Sequence, residues 1–117
     1  VKINVRVDLS GISRTLSRIS EEGQKELDAQ VLKDSNYYAP QDKGELIASS
    51  IRETQFGKGK IIWNTKYARR LFYNPQYNFS KDKNPNAGGL WFNRAKAAHL
   101  AGWVKLLKTV AKRNARG

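Results

Sequence analysis

The chain contains no cysteine, so neither a disulfide framework nor a thiolate metal site can hold it together, which fits a reducing interior. It has a single histidine, His99, which argues against an all-protein zinc site. No apolar run approaches the ~20 residues of a membrane span, so no membrane partner is expected. The first residues alternate apolar and polar side chains and lack the apolar stretch of a signal peptide. There is no P-loop, no dinucleotide-binding glycine pattern and no metal-ligand spacing. Glu21, Glu22 and Glu26 cluster, but Arg18 and Lys25 flank them, and the group reads as a solvated helix face. Acid–base work needs a carboxylate whose surroundings shift its pKa, and nothing in the sequence points to one. His99 stands between Ala98 and Leu100 with no nucleophile motif beside it. Neither catalysis, nor a cofactor, nor a metal is expected.

Acidic residues are also missing from the last third: none follows Asp82. The net charge of +12 comes wholly from residues 40–117, which carry 16 basic and 4 acidic side chains, whereas residues 1–39 carry six of each. Such a block predicts an electropositive face built from Lys58, Lys60, Lys66, Arg69, Arg70, Arg94, Lys105, Lys108, Lys112 and Arg113. Nucleic acid, an acidic protein or an anionic surface would each fit that charge. With 39% hydrophobic and 27% charged residues, a chain of 117 suits one domain with one core.

Ile3, Val5, Val7 and Leu9 alternate with polar residues and predict a half-buried strand closed by Ser10-Gly11, with Ser10 a plausible N-cap. From Ile12 the spacing becomes helical. Ile12, Leu16, Ile19, Gly23, Leu27, Val31 and Tyr38 hold one stripe over roughly seven turns, which predicts one long helix. Gly23 on that stripe marks either a close crossing or a weak point, and Arg14, Arg18, Glu21, Glu22, Lys25, Asp28 and Lys33 form the solvated face.

The stretch Tyr37–Ile51 holds the densest local signals. Pro40 disfavours the helical conformation at Ala39 and should stop the helix. Asp42 offers an N-cap oxygen with Glu45 as its capping-box partner, and Gly44 falls in that first turn, where a Cβ is expected to be sterically unwelcome. A short helix over 43–49 should follow, with Leu46 and Ile47 starting its apolar surface. Next come a strand over 51–56, a tight Gly57-Lys58-Gly59 turn and a returning strand over 60–64. The run Ile61-Ile62-Trp63 implies cover on both faces. A helical turn over 66–73 should direct Tyr67, Ala68, Leu71 and Phe72 inward.

Residues 74–89 contain two prolines, four asparagines and two glycines and exceed ordinary connector length, which predicts a working loop or a disordered segment, with Tyr77 and Phe79 either anchoring it to the body or available to a partner. A basic C-terminal helix over 90–113 should present Trp91, Ala95, Ala98, Gly102, Leu106 and Val110 as one stripe, widened by Phe92, Trp103 and Leu107. Its small residues Ala95, Ala97, Ala98, Ala101 and Gly102 would permit close approach of another backbone. The implied fold is α+β: a long N-terminal helix and a long C-terminal helix packed on a small antiparallel sheet of three to four strands.

A small basic nucleic-acid-binding module is one functional reading, with Trp63, Tyr67, Phe72 and Trp91 near the cations for stacking. No KH loop, RNP pattern or helix-turn-helix supports it, and the aromatics more simply fill the core. A structural assembly module is the other, since the long helices offer more apolar surface than a small sheet covers.

Ala39-Pro40-Gln41-Asp42-Lys43-Gly44-Glu45-Leu46, followed by Ser49 and Ile51, resembles the signature of tailed-phage minor capsid and head–tail connector (neck, tail-completion) proteins, with Lys43 where that family often has Thr. Tyr67-Ala68-Arg69-Arg70-Leu71-Phe72-Tyr73 and the Ala87–Lys96 segment, with Trp91-Phe92 and Arg94-Ala95-Lys96, are similar to its later motifs. The resemblance implies a small non-enzymatic α+β virion subunit. It would assemble as a homo-oligomeric ring at the head–tail junction, made in the host cytoplasm and docked between portal and tail proteins. Non-specific contact with packaged DNA is a further implication.

Overall fold

The computed structural model describes residues 4–13, 20–40, 44–74 and 86–116, the side chains of residue 13 and residues 114–116 excepted. The N-terminal alternation forms β1 (Val5–Asp8), which buries Val5 and Val7 and exposes Arg6 and Asp8, and Leu9 just beyond it is also buried. A single turn, α1 (Ser10–Ser13), follows. Its start is satisfied by Asp8, whose Oδ1 accepts from the Ser10 N–H at 2.8 Å, and not by a serine cap.

The one long helix expected from Ile12 is interrupted. Ser20 is extended (φ −72°, ψ 160°), and its Oγ accepts from the Gly23 N–H at 3.0 Å, making it the N-cap of α2 (Glu21–Asn36). Glu21 and Glu22 place negative charge in the first turn, where the helix dipole favours it. Gly23 therefore belongs to a first turn and not to the middle of a helix. Leu16 and Ile19 lie outside the described residues. At the other end α2 stops at Asn36, and a turn through Tyr37 and Tyr38 leads to Pro40, as the proline predicts.

Gly44 adopts a left-handed conformation (φ 77°, ψ 0°) immediately before α3 (Glu45–Glu53). A Cβ added there would meet nothing within 4 Å. The glycine is required by backbone conformation, and the steric reason expected from the sequence does not apply. Gly44 itself is the N-cap, with no side-chain cap, so Glu45 is the first helical residue and not the capping-box partner expected of it. Asp42, the expected N-cap, lies outside the described residues.

The predicted strand over 51–56 is absent, because α3 continues through Ile51 to Glu53 and leaves only an isolated bridge between Gln55 and Lys60. Gly57 (φ 101°) and Gly59 (φ 74°) turn the chain into β2 (Lys60–Trp63). This strand pairs antiparallel with β1, Val5 opposite Trp63 and Asp8 opposite Lys60. Among the described residues the sheet has two strands, not three to four. What replaces the third strand is a row of hydroxyls. The Ile62 N–H donates to Thr54 Oγ1 at 3.0 Å, and the Asn64 N–H donates to Ser49 Oγ at 3.1 Å. Ser49 Oγ in turn donates to the Leu46 carbonyl at 2.6 Å. The end of α3 thus satisfies backbone donors that a neighbouring strand would otherwise take up.

Ile61 and Trp63 are fully buried and Ile62 is half-buried. A short helix, α4 (Ala68–Phe72), buries Ala68 and Phe72 and leaves Tyr67 and Leu71 packed at the core margin. Residues 75–85, including Tyr77 and Phe79, lie outside the described residues. Where the chain resumes, the Gly88 N–H donates to the Tyr38 carbonyl at 3.1 Å and the Leu90 N–H to the Phe72 carbonyl at 2.9 Å. These two bonds set the start of α5 (Trp91–Arg116), a helix of 26 residues and about 39 Å.

α5 packs antiparallel along α2, since Trp103 Nε1 donates to Asp34 Oδ2 at 2.7 Å and Arg113 pairs with Glu26 further back along α2. Its buried stripe is Trp91, Ala95, Trp103, Leu107 and Val110. The predicted Ala98 and Gly102 are exposed and Leu106 is half-buried, so the helix is rotated toward its bulkier apolar side chains. Trp63, Trp91 and Trp103 are all essentially solvent-free, and Trp63 packs edge-on against Trp91 with centroids 5.7 Å apart. Asn36 ties this core to α2 and α3: its Oδ1 accepts from Trp63 Nε1 at 2.9 Å and its Nδ2 donates to Ser50 Oγ at 3.0 Å.

Candidate interaction surface

The most tightly built polar group among the described residues is one the sequence placed in solvent. Asp28 is fully buried. Its Oδ2 accepts from the Gly57 N–H at 2.8 Å and the Gly59 N–H at 3.1 Å, and its Oδ1 accepts from Gln24 Nε2 at 2.8 Å. Two positive-φ glycines direct their N–H groups to one point, forming a small anion-binding concavity that the carboxylate of α2 fills. The side chains of Glu21 and Lys25 lie against Gly57 and that of Gln24 against Gly59, which fixes the hairpin on α2. A signal was available: Asp28 directly follows core Leu27 and precedes core Val31 and Leu32 by helical steps. Asp28 therefore carries architecture and is no ligand site.

The ten cations of the predicted basic face are all exposed. They are distributed over the hairpin (Lys58, Lys60), the approach to α4 and α4 itself (Lys66, Arg69, Arg70), and α5. Arg94 and Arg113 stand about 28 Å apart along that helix. Among the described residues the ion pairs are Arg113 with Glu26 and Arg52 with Glu53, so the other cations of the set lack a carboxylate within 4 Å there. Trp63, Trp91 and Phe72 are buried and Tyr67 is half-buried, so the aromatics proposed for base stacking belong to the core instead.

Two of the arginines rest on tyrosine rings. Arg94 Cζ lies 4.8 Å from the Tyr38 ring centroid, and Arg69 Cζ lies 5.0 Å from that of Tyr73. Tyr37 packs edge-on against Tyr38 at 5.0 Å, and Phe72 does the same against Tyr73 at 5.0 Å. The two hydrogen bonds from Gly88 and Leu90 bring both groups to one corner, at the end of α2 and the start of α5. Tyr37 and Tyr73 there are more than half exposed.

On α5, Phe92, Lys96, Leu100 and Val104 recur at four-residue steps and, with Asp8, Gly11 and Ile12, line an open groove of about 300 Å³. Ala97, Ala98, Ala101 and Gly102 are exposed beyond it, and a Cβ on Gly102 would meet nothing within 4 Å. Among the described residues no other element takes up the close approach these small side chains allow. His99 is half-buried on the same helix, and no group of three or more His, Asp or Glu side chains converges among the described residues. No helix there is long and apolar enough to cross a membrane.

No curated protein and no solved structure matches the chain. A family model does, over residues 3–111 and so from β1 to the last turns of α5, and its description is Minor capsid protein. That span takes in the Ala39–Ile51 junction, the Tyr67–Tyr73 segment and the Ala87–Lys96 start of α5 on which the sequence resemblance rests. The chain belongs to the phage minor capsid protein family and is a structural component of the virion.

Proposed function

We propose that the protein acts at the head–tail junction, as a neck or tail-completion subunit that assembles into a ring between portal and tail. The observation that carries this reading is the uncovered flank of α5, where Ala97, Ala98, Leu100, Ala101 and Gly102 face away from the chain's own core. A helix buried along a single stripe on α2 and the sheet, with small and apolar residues left outside it, is suited to packing against a second copy. The subunit is elongated, 48 × 27 × 20 Å, so copies can meet along α5 while its two ends remain free for docking. Membership of a structural family agrees with the lack of catalytic motifs in the sequence.

Light scattering after gel filtration tests this directly, first on the protein alone and then with the portal and tail proteins added. Multimers are expected, and Ala101→Glu should reduce them to monomers while leaving the melting temperature within about 2 °C, since the side chain is exposed. A protein that stays monomeric beside the portal and tail proteins refutes the ring. Contact with packaged DNA is a subordinate part of the proposal: binding to short duplexes should be weak near ~0.15 M salt and fall steeply as salt rises. The segment 74–89, with Tyr77 and Phe79, is proposed to contact a neighbour or the tail. Deleting its interior should leave the protein folded and block particle completion.

A further inference from the structure

We propose that the arginine–tyrosine corner at the junction of α2, α4 and α5 is a docking site for an acidic segment of a partner protein, centred on Arg94. The proposal rests on the structural role of the chain and does not require ring formation.

Arg94 is held, although it is exposed. Its guanidinium lies over the Tyr38 ring and also lies against Gly88. A Cβ built on Gly88 would stand 2.6 Å from Arg94 Nη1 and 3.5 Å from its Cζ. Gly88 has no left-handed φ, so what the glycine supplies here is room for that guanidinium. Arg69 is held in a similar way on Tyr73, and Arg70 is its exposed neighbour on α4. None of the three has a carboxylate within 4 Å among the described residues. Guanidinium groups fixed in place, each with a fork of donors, match carboxylates with little loss of side-chain entropy on binding.

The composition of the corner favours a protein over a nucleic acid. Exposed Tyr37 and Tyr73 supply flat apolar area beside the arginines, and tyrosine with arginine is the mixture enriched at the centres of protein–protein interfaces. The lysines, which interfaces tend to exclude, are mostly elsewhere, on the hairpin and along the later turns of α5. The sequence also places no acidic residue after Asp82, so α5 itself carries no carboxylate beside this corner.

The experiment uses the full chain and fluorescence anisotropy with a short labelled peptide rich in Glu and Asp and containing Tyr, with a short DNA duplex measured in parallel. Arg94→Gln should weaken peptide binding about tenfold. Lys108→Gln removes the same charge about 21 Å away along α5 and should change it less than twofold. Gly88→Ala keeps every charge, displaces the guanidinium and should weaken binding nearly as much as Arg94→Gln. Circular dichroism melts establish that each variant is folded, and Arg94→Gln, on an exposed side chain, serves as the deciding variant should Gly88→Ala not fold. Equal losses for Arg94→Gln and Lys108→Gln, or no measurable peptide binding, overturn the proposal. So does a duplex that binds more tightly than the peptide and loses affinity with Arg94→Gln, which would assign the corner to nucleic acid. Ring formation is read separately by light scattering, so the two proposals fail independently.

Discussion

Replacing Asp28 with alanine is the sharpest test of how this fold is held together. The substitution removes the acceptor of three hydrogen bonds and leaves the Gly57 N–H, the Gly59 N–H and Gln24 Nε2 beside a cavity. Hydrogen bonds to a charged acceptor contribute roughly 1.5–3 kcal/mol each, and a buried donor without a partner costs about 1–3 kcal/mol. Some donors will find water as the hairpin loosens, so the three do not add in full. A net loss of about 3–5 kcal/mol is expected, against the roughly 5–15 kcal/mol typical of a whole domain. For a chain of this length that corresponds to about 10–20 °C in melting temperature. Asp28→Asn keeps the shape and one acceptor oxygen but turns donors toward a donor-rich pocket, and should cost about 2 kcal/mol. Urea unfolding followed by tryptophan fluorescence suits the measurement, because Trp63, Trp91 and Trp103 are all buried. Ala29→Gln on the exposed side of the same helix is the control and should fall within about 0.5 kcal/mol of the parent. A loss below about 1 kcal/mol for Asp28→Ala would refute the reasoning and return Asp28 to the solvated face.

Gly44→Ala should destabilise the protein by about 1–2 kcal/mol, and Gly44→Asn by less, because φ 77° and not crowding is the constraint. Equal midpoints for alanine and asparagine in a denaturant series would contradict that order. Thr54→Val strips the hydroxyl that receives the Ile62 N–H and should cost about 1–2 kcal/mol, while Thr54→Ser should restore most of it. Faster amide exchange at Ile62 in the valine variant, measured by NMR, is the local signature.

Several elements were legible because one local rule fixed each of them. Val5, Val7 and Leu9 alternate as a half-buried strand must, and the two glycines around Lys58 turn the chain at positive φ. The departures have two sources, a local cap that outweighs a period and packing that overrides a local pattern. The stripe from Ile12 to Val31 is periodic across Ser20, yet Ser20 is extended and, with the two glutamates after it, starts α2 afresh. Ile51, Thr54 and Phe56 suit a strand, but Ser49 and Thr54 serve β2 through their hydroxyls, and α3 runs to Glu53. On α5, Ala98 and Gly102 fit the period as well as Trp103 and Leu107 do. The larger side chains gain far more from burial and set the rotation. At the candidate surface, charge and exposure could be read from composition. The seat of Arg94 on Tyr38 and against Gly88 could not, because it joins residues some fifty positions apart.

The hydroxyl row on α3 also restricts how this protein can polymerise. An unpaired strand edge invites a neighbouring chain to add its own backbone, the route to domain swapping and to fibrous aggregates. On the outer side of β2 that route is closed, because Ser49 and Thr54 already occupy the Asn64 and Ile62 donors. A neighbour could extend the sheet there only by prying α3 away. For copies packed as proposed above, this edge leaves contacts between side chains, which can be specific and self-limiting, and excludes open-ended backbone pairing on β2.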